Sequence, residues 1–154
     1  MIKSVDHVEV TVQDMDRTIN FYTKVLGFKL ARRVKYETPG YAGELACITL
    51  GGFMLELLGP TQPKAGQGDP ADPGRIGLKM VALTVDDMAQ TLKDLAQHGV
   101  EVTWGPRDAA AFDGLRAEIK DPDGISIELR EWKRGDSPFK ADWQPTKPGI
   151  RRVS

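Results

Sequence analysis

One stretch of this sequence is written twice, and that repeat limits the folds open to it. Residues 6–15 read Asp-His-Val-Glu-Val-Thr-Val-Gln-Asp-Met, and residues 79–88 read Lys-Met-Val-Ala-Leu-Thr-Val-Asp-Asp-Met. At an offset of 73 the pairs Val8/Val81, Thr11/Thr84, Val12/Val85, Asp14/Asp87 and Met15/Met88 are identical. Each copy alternates apolar and polar residues, as a half-buried strand does, and then reaches an aspartate suited to capping a helix. Asp14 and Asp87 are therefore expected to accept the first free amides of two helices.

The match continues beyond the caps. Met15, Ile19, Tyr22 and Leu26 recur at helical spacing, as do Met88, Leu92 and Leu95. Gly27 and Gly99 follow, where a helix ends most easily in a left-handed residue. Phe28-Lys29-Leu30 then corresponds to Val100-Glu101-Val102, and Gly52–Leu57 to Gly124–Leu129, both at an offset of 72. Asp121-Pro122-Asp123-Gly124 is a turn signal. Each half reads as strand, helix and three strands, so the fold class is α+β with two βαβββ modules. The modules are assigned to residues 1–58 and 78–131. Between them, nine of the 19 residues from 59 to 77 are Gly or Pro, which makes this a linker or surface loop. Residues 132–154 form a tail, expected to be extended, whose Phe139 and Trp143 suggest packing.

Charge and cysteine content remove several functions. With 21 Lys+Arg against 22 Asp+Glu, the chain has no general basic field to hold a nucleic acid backbone. Its one cysteine, Cys47, excludes an internal disulfide framework and a Cys-rich zinc site. No apolar run approaches the roughly 20 residues that span a bilayer, and no signal-peptide core follows Met1. A soluble, cytoplasmic protein with no membrane or nucleic acid partner is expected.

Alternation along the strands decides which side chains share a face. His7, Glu9 and Thr11 lie opposite Val8, Val10 and Val12; Met54, Glu56 and Leu58 lie opposite Phe53, Leu55 and Leu57; Ser126, Glu128 and Arg130 lie opposite Ile125, Ile127 and Leu129. His7, Glu56 and Glu128 thus hold comparable strand positions, and an imidazole with carboxylates suits a divalent metal. A plain water-facing sheet surface gives the same pattern.

Asp6–Met15, Asn20–Phe28 and Asp121–Leu129 resemble the opening and closing motifs of the vicinal oxygen chelate superfamily, which includes glyoxalase I, bleomycin resistance proteins and extradiol dioxygenases. The resemblance covers residues 5–131. It implies that the two modules curve a mixed sheet around a central cavity, that the chain forms a homodimer, and that metal ligands come from the first and last strand of each module. Those positions are His7, Glu56, Met80 and Glu128. Met80 breaks the pattern, because a thioether is a poor ligand for Ni²⁺, Zn²⁺, Fe²⁺ or Co²⁺. His98 is read as a structural residue at the polar end of the second helix and does not replace it. Glu9 shares a face with His7 and is the better substitute. A divalent ion of unknown identity at His7, Glu56, Glu128 and Glu9 is one expectation; a metal-free site whose carboxylates raise one another's pKa is the other.

The resemblance implies a metal-dependent lyase or isomerase of glyoxalase type, acting on a small substrate chelated through two neighbouring oxygens, with Glu128 or Glu56 moving a proton. A non-catalytic protein that sequesters a drug or metabolite is the alternative. An extradiol dioxygenase ranks last, for want of a second histidine. Met80, Met54, Trp104 and Arg130 are expected to meet the small molecule; Arg32, Arg33 and Arg116 are weaker candidates to hold an anionic one. Tyr41 and Phe112 are placed near a cavity mouth, and Cys47 is read as a buried small hydrophobe.

Overall fold

The structure, a computed structural model, describes residues 3–38, 41–64, 76–109, 114–133 and 148–149. The chain divides into two compact units, Met1–Gly68 with Asp121–Asp123, and Asp69–Lys120 with Gly124–Ser154.

The first unit contains β1 (Val8–Thr11), α1 (Met15–Asn20) with a π-helical turn at Phe21–Val25, β2 (Lys29–Thr38), β3 (Tyr41–Leu50) and β4 (Phe53–Pro60). Its sheet order is β1-β4-β3-β2. β1 runs parallel to β4, with Glu9 paired to Glu56, and the other pairs are antiparallel. The second unit repeats the plan with β5 (Val81–Thr84), α2 (Met88–Gln97), β6 (Val102–Asp108), β7 (Gly114–Lys120) and β8 (Ser126–Trp132), ordered β5-β8-β7-β6. Here Ala82 pairs with Glu128, so the register of the first sheet recurs in the second. The α+β architecture of two βαβββ modules is the one the repeat predicts.

Both helices start at the expected caps. Asp14 Oδ1 accepts from the Arg17 amide and Asp87 Oδ1 from the Gln90 amide, each at 2.9 Å. Glu131 Oε2 accepts the Met88 amide at 2.6 Å, a second anchor for the start of α2. His98 is the C-cap residue of α2, and Gly27 and Gly99 follow the helices with φ of 77° and 72°.

α1 differs from the expected regular helix. The offset between modules falls from 73 before the helices to 72 after them, so the first module holds one extra residue. The π-helical turn at Phe21–Val25 absorbs it, since a wider turn takes up a residue without breaking the helix. Met15, Ile19 and Tyr22 stay buried in this way.

Each core lies on the sheet face covered by the helix. α1 packs on β3 and β4, and α2 on β8. Val12, Tyr22, Ile48, Leu55 and Leu57 are fully buried in the first unit; Met88, Ile119, Ile127 and Leu129 in the second. Each such side chain contributes about 1.5–3 kcal/mol relative to exposure. The opposite faces carry Glu56, Glu118, Glu128 and Arg130, and in the first sheet also the apolar Leu45, Cys47 and Leu58.

The segment boundaries are not those drawn from composition. β4 continues through Gly59 and Pro60, and the Thr61 amide donates to the Ala42 carbonyl at 3.0 Å, so the start of the Gly/Pro-rich stretch belongs to a sheet. β8 likewise includes Trp132. Residues 65–75 and the tail's Phe139 and Trp143 lie outside the described residues, as do Phe112 and the side chain of Tyr41.

Candidate metal centre

The parallel β1–β4 pairing sets Glu9 beside Glu56, and His7 precedes β1 on the same face as Glu9. His7 Nε2 lies 3.5 Å from Glu56 Oε2 and 3.7 Å from Glu9 Oε1. One ligand atom from each residue falls within 4.8 Å of the other two. Glu56 is largely covered, its side chain 12% exposed, whereas Glu9 reaches outward at 55%.

The other nitrogen of His7 is already engaged. Nδ1–H donates to Asp6 Oδ2 at 2.8 Å, because a carboxylate can only accept. This fixes the ring so that Nε2 faces the two carboxylates, the outer-sphere arrangement that metal-binding histidines use. The imidazole pKa is raised above its ordinary value of 6.5, chiefly by that hydrogen bond and further by the negative charge of Glu56, Asp6 and Glu9, while partial burial opposes the shift.

Behind Glu56, Cys47 donates from Sγ to Oε1 at 3.5 Å and accepts from Arg32 Nη2 at 3.5 Å. Cys47 is buried. It is a small core residue, as expected, but with a polar contact that alternation along one strand does not show. Arg33 is turned to Asp16 and Glu44 and takes no part.

A nitrogen and two carboxylates that converge, one well covered and the imidazole oriented from behind, fit a divalent ion of hard or borderline character. Sequence reasoning reached these residues through alternation, and Glu9 and Glu56 came together only through the strand register. Asp6 was missed. Its signal was its place next to His7, since a carboxylate beside a candidate ligand can fix its tautomer.

Glu128 stands in different company. It is 3% exposed, and both its oxygens meet guanidinium groups. Arg130 Nε donates to Oε1, and Arg116 Nε lies 2.6 Å from Oε2. Its cross-strand partner Glu118 pairs with Arg116 Nη2 at 2.5 Å. Charge neutralisation by arginine, rather than a cluster of open donors, characterises this position. Met80 precedes β5 as His7 precedes β1, and Ala82 stands in the place of Glu9, so the second module has neither counterpart. Arg130 and Trp104 are on the polar face of the second sheet: Arg116 lies 5.0 Å and Arg107 5.3 Å from the Trp104 ring, and Arg130 5.6 Å from that of Trp132. Met54 is half-buried at the start of β4, next to Glu56 on the same face.

Comparison with known proteins agrees with this architecture. Residues 4–129 match the Glyoxalase/Bleomycin resistance protein/Dioxygenase superfamily. The chain is 36% identical over 132 residues to the lactoylglutathione lyase of Escherichia coli O157:H7, covering 82% of this chain and 91% of that one. Among solved structures, a glyoxalase family protein from Enterococcus faecalis superposes with a TM-score of 0.70 at 27% identity, over 84% of this chain and 98% of the other. TnmS3, an antibiotic binding protein from Streptomyces sp. CB03234, superposes with a TM-score of 0.60 at 26% identity, over 84% and 96% of the two chains. No described helix is long and apolar enough to cross a membrane. With the repeated βαβββ plan and the match over 126 of its residues, the chain belongs to the glyoxalase/bleomycin resistance/dioxygenase superfamily.

Proposed function

We propose that this protein is a glyoxalase-type lyase or isomerase that works with one divalent metal ion held by His7, Glu9 and Glu56. The observation that carries the reading is the convergence of His7 Nε2 on two carboxylates while Asp6 holds Nδ1. The likeness to relatives named lactoylglutathione lyase supports a reaction of that class.

Bound there, a divalent ion supplies Lewis acidity toward two neighbouring oxygens of a small substrate. The chain's own groups do the rest. His7 anchors through Nε2. Glu9, at the open side, completes the donor set where the thioether of Met80 does not. Glu56 is the group that takes a proton from the substrate carbon and returns it, with Cys47 donating to its Oε1 and so holding the carboxylate in position. Glu128, proposed from the sequence for the same work, is instead assigned to charge balance with Arg116 and Arg130, because a guanidinium group stands at each of its oxygens and leaves neither open to an ion.

Elemental mass spectrometry tests the reading, on protein purified without an affinity tag and again after dialysis against mixed divalent ions. About one equivalent per chain is expected, lost in His7→Ala and in Glu56→Gln and restoring turnover of lactoylglutathione when added back. Metal-free protein under both conditions overturns it. The second reading, a small-molecule-binding protein, would then stand, favoured by Met80 in a ligand position and by the likeness to an antibiotic binding protein.

A further inference from the structure

The polar face of the second sheet is ordered in rows. Arg107 pairs in register with Arg116, and Arg116 with Arg130, so three arginines lie side by side across β6, β7 and β8. The next row along the same face is Trp104, Glu118 and Glu128. Lys120, paired with Ser126, follows beyond the glutamates. Four cations thus share a face with two carboxylates. Asp108, next to Arg107 in the chain, pairs with Leu115 and belongs to the opposite face.

Like charges placed directly opposite on neighbouring strands destabilise a sheet. The glutamate row compensates the arginines on one side only. On the other side the next register pair is Gly114 with Trp132, which brings no carboxylate. Arg107 is exposed and has no acidic partner among the described residues. Arg116 Nε is buried and close to Glu128 Oε2, yet it is not aligned with any acceptor for a hydrogen bond.

The first module supplies an internal control. Its equivalent row, reached through the same register, is Val34, Leu45 and Leu58, all apolar. The arginine row is therefore not a demand of the fold. Glu128 and Glu118 fix the guanidiniums of Arg116 and Arg130 before any ligand arrives, which lowers the ordering entropy that binding costs. Guanidinium is the side-chain group matched to planar or tetrahedral oxyanions.

We propose that this face of the second module is a receptor for the oxyanion end of a small organic molecule, a carboxylate or a phosphate ester, bound across Arg107, Arg116 and Arg130 beside Trp104. The two modules have then diverged in chemistry, the first presenting donors for a cation and the second donors for an anion. The assignment stands on the second unit alone and holds whether or not His7, Glu9 and Glu56 carry a metal.

Isothermal titration of chelator-treated protein with malonate, with inorganic phosphate and with uncharged malonamide tests it. Saturable binding of at least one anion, weakened by added salt and absent for malonamide, is expected. The stronger of the two anions identifies the group as carboxylate or phosphate. Arg107→Gln, at an exposed position, is expected to weaken binding about tenfold with Tm unchanged, the loss of one charge-assisted hydrogen bond. Arg116→Lys keeps the charge against Glu128 and loses the fork, and should weaken binding by a similar factor. Absence of saturable binding by either anion, malonamide binding as well as malonate, or equal affinity in wild type and Arg107→Gln each overturns the proposal. Metal uptake by Arg107→Gln, read separately, is expected to match wild type, so failure here is distinct from failure at His7.

Discussion

Asp6 decides how His7 works. Its hydrogen bond to Nδ1 turns Nε2 toward Glu9 and Glu56 and is the largest cause of the raised imidazole pKa. Removing it in Asp6→Asn is expected to lower the His7 titration midpoint in chelator-treated protein, measured by NMR of the ring protons; an unchanged midpoint would refute the role. The sign for stability follows from the direction of the shift. A folded pKa above 6.5 means that protonated His7 stabilises the metal-free fold, fully at pH below 6.5, and that this contribution is lost as pH rises through the folded value. Metal-free wild type should therefore lose stability over that window relative to His7→Gln, as read by denaturant midpoints at pH 5.5 to 8. Metal binding runs the other way, because the ion and the proton compete for Nε2.

At the level of elements, α1 and the turn after β7 show which contacts the sequence hides. Asp121–Asp123 belong with the first unit, where Arg17 Nη2 and Thr18 Oγ1 donate to Asp123 at 2.7 and 3.2 Å, and the Tyr22 hydroxyl donates to Asp121 at 3.2 Å. Burial and the charge of Asp121 push the Tyr22 phenol well above its ordinary range, so it remains a donor at all working pH. Asp121 is itself 5% exposed. Tyr22→Phe keeps the edge-on ring contacts with Phe21 and Phe28 and removes only the hydroxyl. A loss of about 1–2 kcal/mol in denaturant unfolding is expected, since Asp121 Oδ2 loses the hydroxyl that donates to it in a covered place. No loss would mean that water replaces the hydroxyl. The sequence showed Asp121-Pro122-Asp123-Gly124 as a turn and Tyr22 as one more apolar position, because periodicity reports burial and not which distant donor a buried acceptor meets. Caps and helix ends were legible for the opposite reason: Asp14, Asp87, Gly27 and Gly99 act within four residues of where they stand. His7, Glu9 and Glu56 were intermediate. Alternation put each on a polar face, while Asp6 as orienter, and the arginines that occupy Glu128, depended on side-chain directions that no spacing rule encodes.

Across the whole molecule the duplicated plan makes the chemistry of one module a test of the other. Glu56 and Glu128 occupy the same register position, yet Glu56 has His7 and Glu9 for neighbours and Glu128 has Arg116 and Arg130. The residues standing at those places in the partner module are Met80 for His7, Ala82 for Glu9, Leu45 for Arg116 and Leu58 for Arg130. If neighbours rather than backbone decide which module holds a cation, Met80→His alone should add no metal, because Glu128 stays bound to its arginines. Met80→His with Ala82→Glu, Arg116→Leu and Arg130→Leu recreates the donor set of the first module around Glu128. That variant is expected to bind a second equivalent of divalent metal per chain by elemental mass spectrometry, and to lose anion binding on the same face. Without its arginines Glu128 is a covered carboxylate beside a new one, so the metal-free variant is expected to be less stable than wild type and to gain stability when metal is added. A folded quadruple variant that still takes up a single equivalent would show instead that the second sheet's geometry, and not its arginines, excludes the ion.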